Sequence, residues 1–405
     1  MTSFFKNFGD SQIRYFYLLA AVMVSLPIHM NLNAFCISLF SLNAILSFKK
    51  RNFEDDKGLL ISYSFYVLFF IISALSLIYS DHLDLGLSKI QTKLGFLVIP
   101  FAFASNLKNL SKSKIQCLLR SLIVSVLLCT VFCYIESFIK ALSLGSFVQM
   151  YDSNLSDPLM HRAYFSLFLG ISILLWWEDI HFLAKFRIYG ILLFLITIIL
   201  LQGRINILAF LLVAALIFII KYSRTFSKKQ NFLGASLVLL AILAFSFLPK
   251  KYNRFNQPLT LEYNLSDTNS SDFTGITIRL AIWDIALPLA KEDIFLGRGI
   301  GDSHVDLVDQ FQEKQFIIGI EKKFNCHNQF IESTLASGIF SLLALLGILV
   351  IYLLFSMGPR HYFLAGMVIY FFLSMLTESL LERHWGISIL TIIIPLYAKY
   401  IRMKN

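Results

Sequence analysis

Three residues of this 405-residue chain join a reactive side chain to an unusual setting. Arg204 lies in Leu201-Gln202-Gly203-Arg204-Ile205-Asn206, a joint between two apolar stretches with almost no loop to hold it in water. Its planar guanidinium can take phosphate oxygens in two parallel hydrogen bonds; the competing reading is an arginine that snorkels or caps the turn. Arg279 shares a helical stripe with Trp283, beside an apolar stripe of Ile278, Ile282, Ile285 and Leu289. It is a second candidate anion contact, or a surface arginine, and Trp283 can stack on a sugar ring. His327, next to Asn328, stands where a hydrophilic stretch returns to an apolar one. An imidazole exchanges protons near neutral pH, and the N-terminal end of a helix keeps it neutral, as a general base must be. Asn328 can orient that ring or a hydroxyl.

Other groups carry weaker signals. His161 and Arg162 open an apolar stretch after Asp157-Pro158, with Tyr164 following, and read as a substrate contact or as a cap and interface anchor. Asp302 and His304 follow the turn Gly297-Arg298-Gly299-Ile300-Gly301; Asp302 caps a helix or binds a sugar. Glu378, Glu382 and Arg383 are expected to pair with one another. Cys129 and Cys133 sit one helical turn apart without His or carboxylate companions, so no metal site is expected, and Cys36, Cys117 and Cys326 imply no disulfide framework.

The elements that must position these residues follow from composition. The chain is 57% apolar and 15% charged, where soluble domains hold about 45–50% and about 25%. Mean hydropathy is +0.71. A soluble enzyme, a disordered chain and a disulfide scaffold are excluded, leaving an all-α polytopic membrane protein. Charge-poor stretches predict twelve spans: two within 15–48, split near Pro27–Asn31, then 58–80, 92–107, 116–137, 161–177, 185–202, 205–220, 231–249, 328–355, 361–380 and 385–401. On this map 19 Lys and Arg fall on the side of both termini and six in the opposite short loops, so the termini are expected to be cytoplasmic. The net charge of +10 reports orientation rather than nucleic acid binding.

One connection is long. Residues 250–325 hold nine Lys or Arg and eleven Asp or Glu, near neutrality, and read as a folded extracytoplasmic loop with short helices. The expected organisation is therefore spans one to nine over 1–249, the loop subdomain over 250–325, and spans ten to twelve over 326–405.

An arginine heading a middle span, an outer loop with Arg279-x-x-x-Trp283 and a Gly-x-Gly-x-Gly-Asp turn, then His327-Asn328 opening a span that runs on to Gly338: this order resembles the O-antigen ligase and polymerase superfamily of bacterial inner-membrane glycosyltransferases. The resemblance covers about residues 160–400. It implies a glycosyltransferase class C-like fold and transfer of a glycan from a polyprenyl pyrophosphate carrier to an acceptor hydroxyl on the periplasmic face, inverting and without metal or other cofactor. His327 would be the base and Arg204 and Arg279 would neutralise the leaving pyrophosphate, with Asn328, Trp283, Asp302, His161, Arg162 and Tyr164 as substrate contacts. A ligase would accept on lipid A core and a polymerase on another carrier-linked repeat unit. From another class, a membrane transporter would also explain twelve spans and an intramembrane arginine.

Overall fold

The computed structural model describes residues 11–49, 52–222, 263–266, 273–358 and 361–403. The expected span at 231–249 lies outside them, as does most of 250–272. Within them the chain is helical: α1 (Ser11–Ser25), α2 (Met30–Leu46), α3 (Lys57–Leu75), α4 (Leu83–Lys93), α5 (Gly95–Asn106), α6 (Lys112–Leu144), α7 (Arg162–Glu178), α8 (Arg187–Leu200), α9 (Arg204–Tyr222), α10 (Gly275–Glu292), α11 (Ser303–Glu313), α12 (Ile317–Lys322), α13 (Gln329–Ser356), α14 (Tyr362–Met375) and α15 (His384–Arg402). The expected spans on described residues overlap helices, that at 92–107 crossing from α4 into α5. Among the described residues six helical runs are long and apolar enough to cross a membrane: Lys57–Tyr79, Leu83–Asn109, Lys112–Leu144, Arg204–Lys221, Gln329–Ser356 and His384–Arg402. Their outward faces carry large apolar side chains such as Leu128, Ile139, Leu208 and Ile219, the surface of a membrane protein.

The helices form a ring. α13 packs on α3 and α14, α14 on α9 and α7, α7 on α6, α6 on α1, α1 on α2, α2 on α5, and α5 back on α3. α15 fills the middle, touching α5, α6, α13 and α14. Its most apolar window is 89% buried, against 33% for Arg204–Lys221, so the last span is the core. Pro395 within it lacks an N–H and crowds the carbonyl one turn earlier; the preceding Ile389–Ile393 relaxes into a π turn that accommodates this.

The expected tenth span is not one helix. α13 breaks at Ser337 and Gly338, the latter at φ +74°. Into this break the connection after α10 inserts its backbone: Arg298 N donates to Leu335 O at 2.8 Å and Ile339 N to Ile294 O at 2.7 Å. A Cβ on Gly338 would strike Phe295 O, and one on Gly297 would sit 2.6 Å from Gly338 N. Only glycine permits this backbone-on-backbone approach, which is the use of the glycine-rich turn. The short segment 329–336 thereby belongs with the loop: Ile331 and Leu335 share a small core with Ile282, Ile285, Leu289, Leu307, Phe311 and Phe316.

Candidate active site

His327 occupies the turn just before α13 in the left-handed region, φ +43°, a conformation uncommon for a residue with a side chain. The strain is held by its neighbours. Cys326 N donates to Glu332 Oε2 at 3.0 Å, Cys326 O accepts from Trp283 Nε1 at 3.0 Å, and His327 N donates to Asn325 Oδ1 at 3.0 Å. Asn328 is the N-cap of α13: its Oδ1 accepts from Phe330 N and Ile331 N, and its Nδ2 donates to Leu376 O at 3.1 Å. The histidine is thus fixed to α10 through Trp283 and to the end of α14 through Asn328.

The ring faces a carboxylate. His327 Nδ1 lies 3.3 Å from Glu378 Oε2. Arg279 Nη2 lies 3.9 Å from the same oxygen, while Nε donates to Thr377 O at 2.8 Å and Nη1 to Gly275 O. A proton on Nδ1 shared with Glu378 leaves Nε2 as the acceptor, the arrangement in which a carboxylate selects the tautomer and steadies the imidazolium that forms. Burial pushes the Glu378 carboxyl up, but the His327 bond and the charges of His327, Arg279 and His161 outweigh it and hold the group below the usual carboxylate range.

Glu378 is the residue that sequence reasoning missed, having been assigned to Glu382 and Arg383. Glu382 instead pairs with Lys93 at 2.5 Å. The usable signal was topological: Glu378 follows α14 at the end of the molecule where His327 enters α13, and an acid opposite a histidine at one membrane boundary merits pairing.

The remaining site candidates divide. His161 caps α7, its Nδ1 accepting from Ala163 N at 3.4 Å. The surrounding protein holds this imidazole below its ordinary value, against the pull of Glu378. Tyr164, one turn on, lies within electrostatic reach of Glu378 and Arg383, its ring 5.6 Å from that of Trp385. Both therefore border the His327–Glu378 pair. Arg204 opens α9, and two residues on Asn206 Nδ2 donates to Ala163 O at 3.1 Å. That bond ties the start of α9 to the start of α7. Arg162 is turned to Asp152. Trp283 spends its indole N–H on Cys326 O. Asp302 belongs to a different joint. It accepts from Asp81 N, His82 N and His82 Nδ1, all at 2.8 Å, with no side-chain cap on α11, and Gly301 N donates to Ser80 Oγ at 3.1 Å. This clasp docks the glycine turn on the α3–α4 connection.

Residues 189–346 match the family model described as O-Antigen ligase. The matched segment carries Arg204, Arg279, Trp283, Asp302, His327 and Asn328, and ends before Glu378. No curated protein is matched by the chain. Residues 189–346 are thus similar to the O-antigen ligase family that the motifs resemble, and the match supports a glycosyl-transfer role in a membrane.

Proposed function

We propose that this protein transfers a glycan from a polyprenyl pyrophosphate donor to an acceptor hydroxyl on the periplasmic face of a bacterial inner membrane, with both termini in the cytoplasm. The observation that carries the reading is His327, on a left-handed backbone within the segment matched to O-antigen ligase, its imidazole bonded through Nδ1 to Glu378 beyond that segment and beside Arg279. No nucleotide supplies energy in that compartment, so it must arrive in the donor.

In this mechanism the acceptor hydroxyl gives its proton to His327 Nε2 as its oxygen bonds the anomeric carbon. The bond from that carbon to the phosphate oxygen breaks, and its electron pair leaves with the pyrophosphate. One in-line displacement inverts the anomeric centre. Glu378 steadies the imidazolium. Arg279 meets the charge that develops on the leaving group, its guanidinium lying beside the His327–Glu378 pair. Arg204 supplies a second positive charge from the start of α9, with His161, Tyr164 and Asn328 bordering the substrates, and no metal is needed for these steps.

Ligase and polymerase share this donor chemistry and differ in acceptor. The test is transfer by the purified protein from a lipid-linked glycan to lipid A core or to a second carrier-linked repeat unit. Product on lipid A core establishes a ligase, and chain extension a polymerase. No product on either, from protein that folds, overturns the reading. A transporter would keep its flux in His327→Ala, where a transferase loses its activity.

A further inference from the structure

The connection from Leu376 to Arg383 is held at almost every position. Leu376 O accepts from Asn328 and Thr377 O from Arg279; Glu378 bonds His327. Ser379 Oγ donates to Glu332 Oε2 at 3.3 Å, Leu381 N donates to Gln329 Oε1 at 2.6 Å, and Glu382 pairs with Lys93. Arg383 is the exception. Its side chain is exposed and has no hydrogen bond or ion pair among the described residues, although two carboxylates stand within five positions of it. Both are committed elsewhere.

Its position is that of the site. Arg383 immediately precedes α15, and Trp385, two residues on, packs its ring against Tyr164. His161 and Tyr164, one turn apart at the start of α7, each lie within electrostatic reach of both Glu378 and Arg383. The guanidinium therefore borders the same mouth as the His327–Glu378 pair, reached through α7 rather than through α10.

The charge balance there calls for it. Arg279 gives two nitrogens to backbone carbonyls and turns the third to Glu378, so a carboxylate already offsets much of its charge. A diphosphate ester brings two negative charges, and a leaving pyrophosphate brings more. A free, planar arginine meets phosphate oxygens at far lower cost than one that must first leave a carboxylate.

We propose that Arg383 is a phosphate-binding residue that grips the pyrophosphate of the lipid-linked donor, with the Tyr164–Trp385 pair as its apolar floor. This rests on the transferase reading above. Acidic sugars on an acceptor share the oxyanion chemistry, so the test separates the two sources.

The full-length protein in detergent is assayed as wild type, Arg383→Gln and Arg383→Lys, with initial rates measured against donor and acceptor separately. Binding of polyprenyl pyrophosphate carrying no glycan is measured alongside. The expected result for Arg383→Gln is an increase of about tenfold or more in donor KM and in the Kd of the unglycosylated probe, the loss expected for one charge-assisted contact, with acceptor KM unchanged. Arg383→Lys recovers part of both, because it keeps the charge and loses the fork, and it carries the test should Arg383→Gln fold poorly. Unchanged donor KM and probe Kd overturn the proposal, as does an increase confined to acceptor KM. A wild-type protein that folds and performs no transfer overturns the transferase reading instead, so the two failures are distinguishable.

Discussion

The two ends of α15 treat charge in opposite ways. At one end Lys399 Nζ donates to both oxygens of Glu54, at 2.8 and 2.7 Å, with both residues buried. Arg402 Nη2 donates to Asp56 Oδ1 at 2.7 Å, and nearby Arg120 holds Asp179 through two nitrogens, at 2.7 and 3.1 Å. At the other end, about 28 Å away by helical rise, Glu382 and Lys93 also form a closed pair at 2.5 Å, but the contacts around Glu378 are longer. His327 and Arg279 share one oxygen of Glu378 at 3.3 and 3.9 Å, and Arg383 pairs with nothing described. Closed pairs with matched geometry fasten the ring around its central helix. A ring nitrogen of His327 and the Arg383 guanidinium, without a partner among the described residues, are poised for something outside the chain. The mere presence of charge near a membrane boundary does not separate these roles; the residual hydrogen-bonding capacity does.

This contrast can be broken by experiment. The largest effect is expected from His327→Ala, which should lower glycan transfer by about 10³-fold or more while the melting temperature stays near wild type, because a general base and its oriented proton transfer go together. A variant that retains transfer places the base elsewhere. At the closed end Glu54→Gln should do the reverse. It leaves the buried Lys399 ammonium short of its counter-charge at a cost of about 3–5 kcal/mol, read as a lower melting temperature with unchanged turnover per folded molecule. Loss of turnover with unchanged stability would erase the distinction between the two ends.

Glu378→Gln is intermediate. It keeps the shape of the side chain but no longer supports the imidazolium, and a fall in kcat of about 10- to 100-fold is expected with little change in donor KM. A change in donor KM alone would make Glu378 a binding residue. Gly338→Ala tests the interlock that holds the base: a Cβ collides with Phe295 O, so loosening of the glycine turn, read by faster proteolysis of the loop, should accompany lost activity. Full protection from protease would show that the break can accommodate a side chain.

The smallest effect is that of pH on stability. Glu378 titrates below its ordinary value in the folded protein, so its contribution is complete above about pH 4–5 and is lost as the pH falls through the depressed value. His161 is also depressed, so the unfolded chain binds a proton that the folded one resists, and stability should begin to fall below about pH 6.5. Melting curves from pH 8 to 4 should therefore show loss only on the acid side, in two stages. A gain on acidification from pH 7 to 5 contradicts the His161 assignment, and a gain from pH 5 to 4 contradicts that of Glu378.

Much of the fold was legible because lipid imposes a coarse rule: a membrane helix needs a long charge-poor run, and composition displays such runs directly. The segment around Arg204, the helical loop after residue 273 and the turn before α13 were placed by that rule and by helical spacing. Hydropathy did not point to α15 as central: its window is less apolar than that of the largely exposed Arg204–Lys221, because the outer helices face lipid. Nor could it show the break at Gly338, where backbone groups of another segment replace the lost helical bonds.

For the candidate site, sequence determined which chemistries were possible, through side-chain type and the boundary position of His327, Arg279 and Arg204. Partner choice was decided only in three dimensions. Glu378 is four residues from Glu382 and five from Arg383, yet it bonds a histidine 51 positions away. Asp302 lies beyond the glycine turn and reaches back 220 positions to His82. Charge pairing depends on distances of a few ångströms and on which groups are already satisfied. Packing α10, α13 and α14 together sets both, and no linear spacing encodes either.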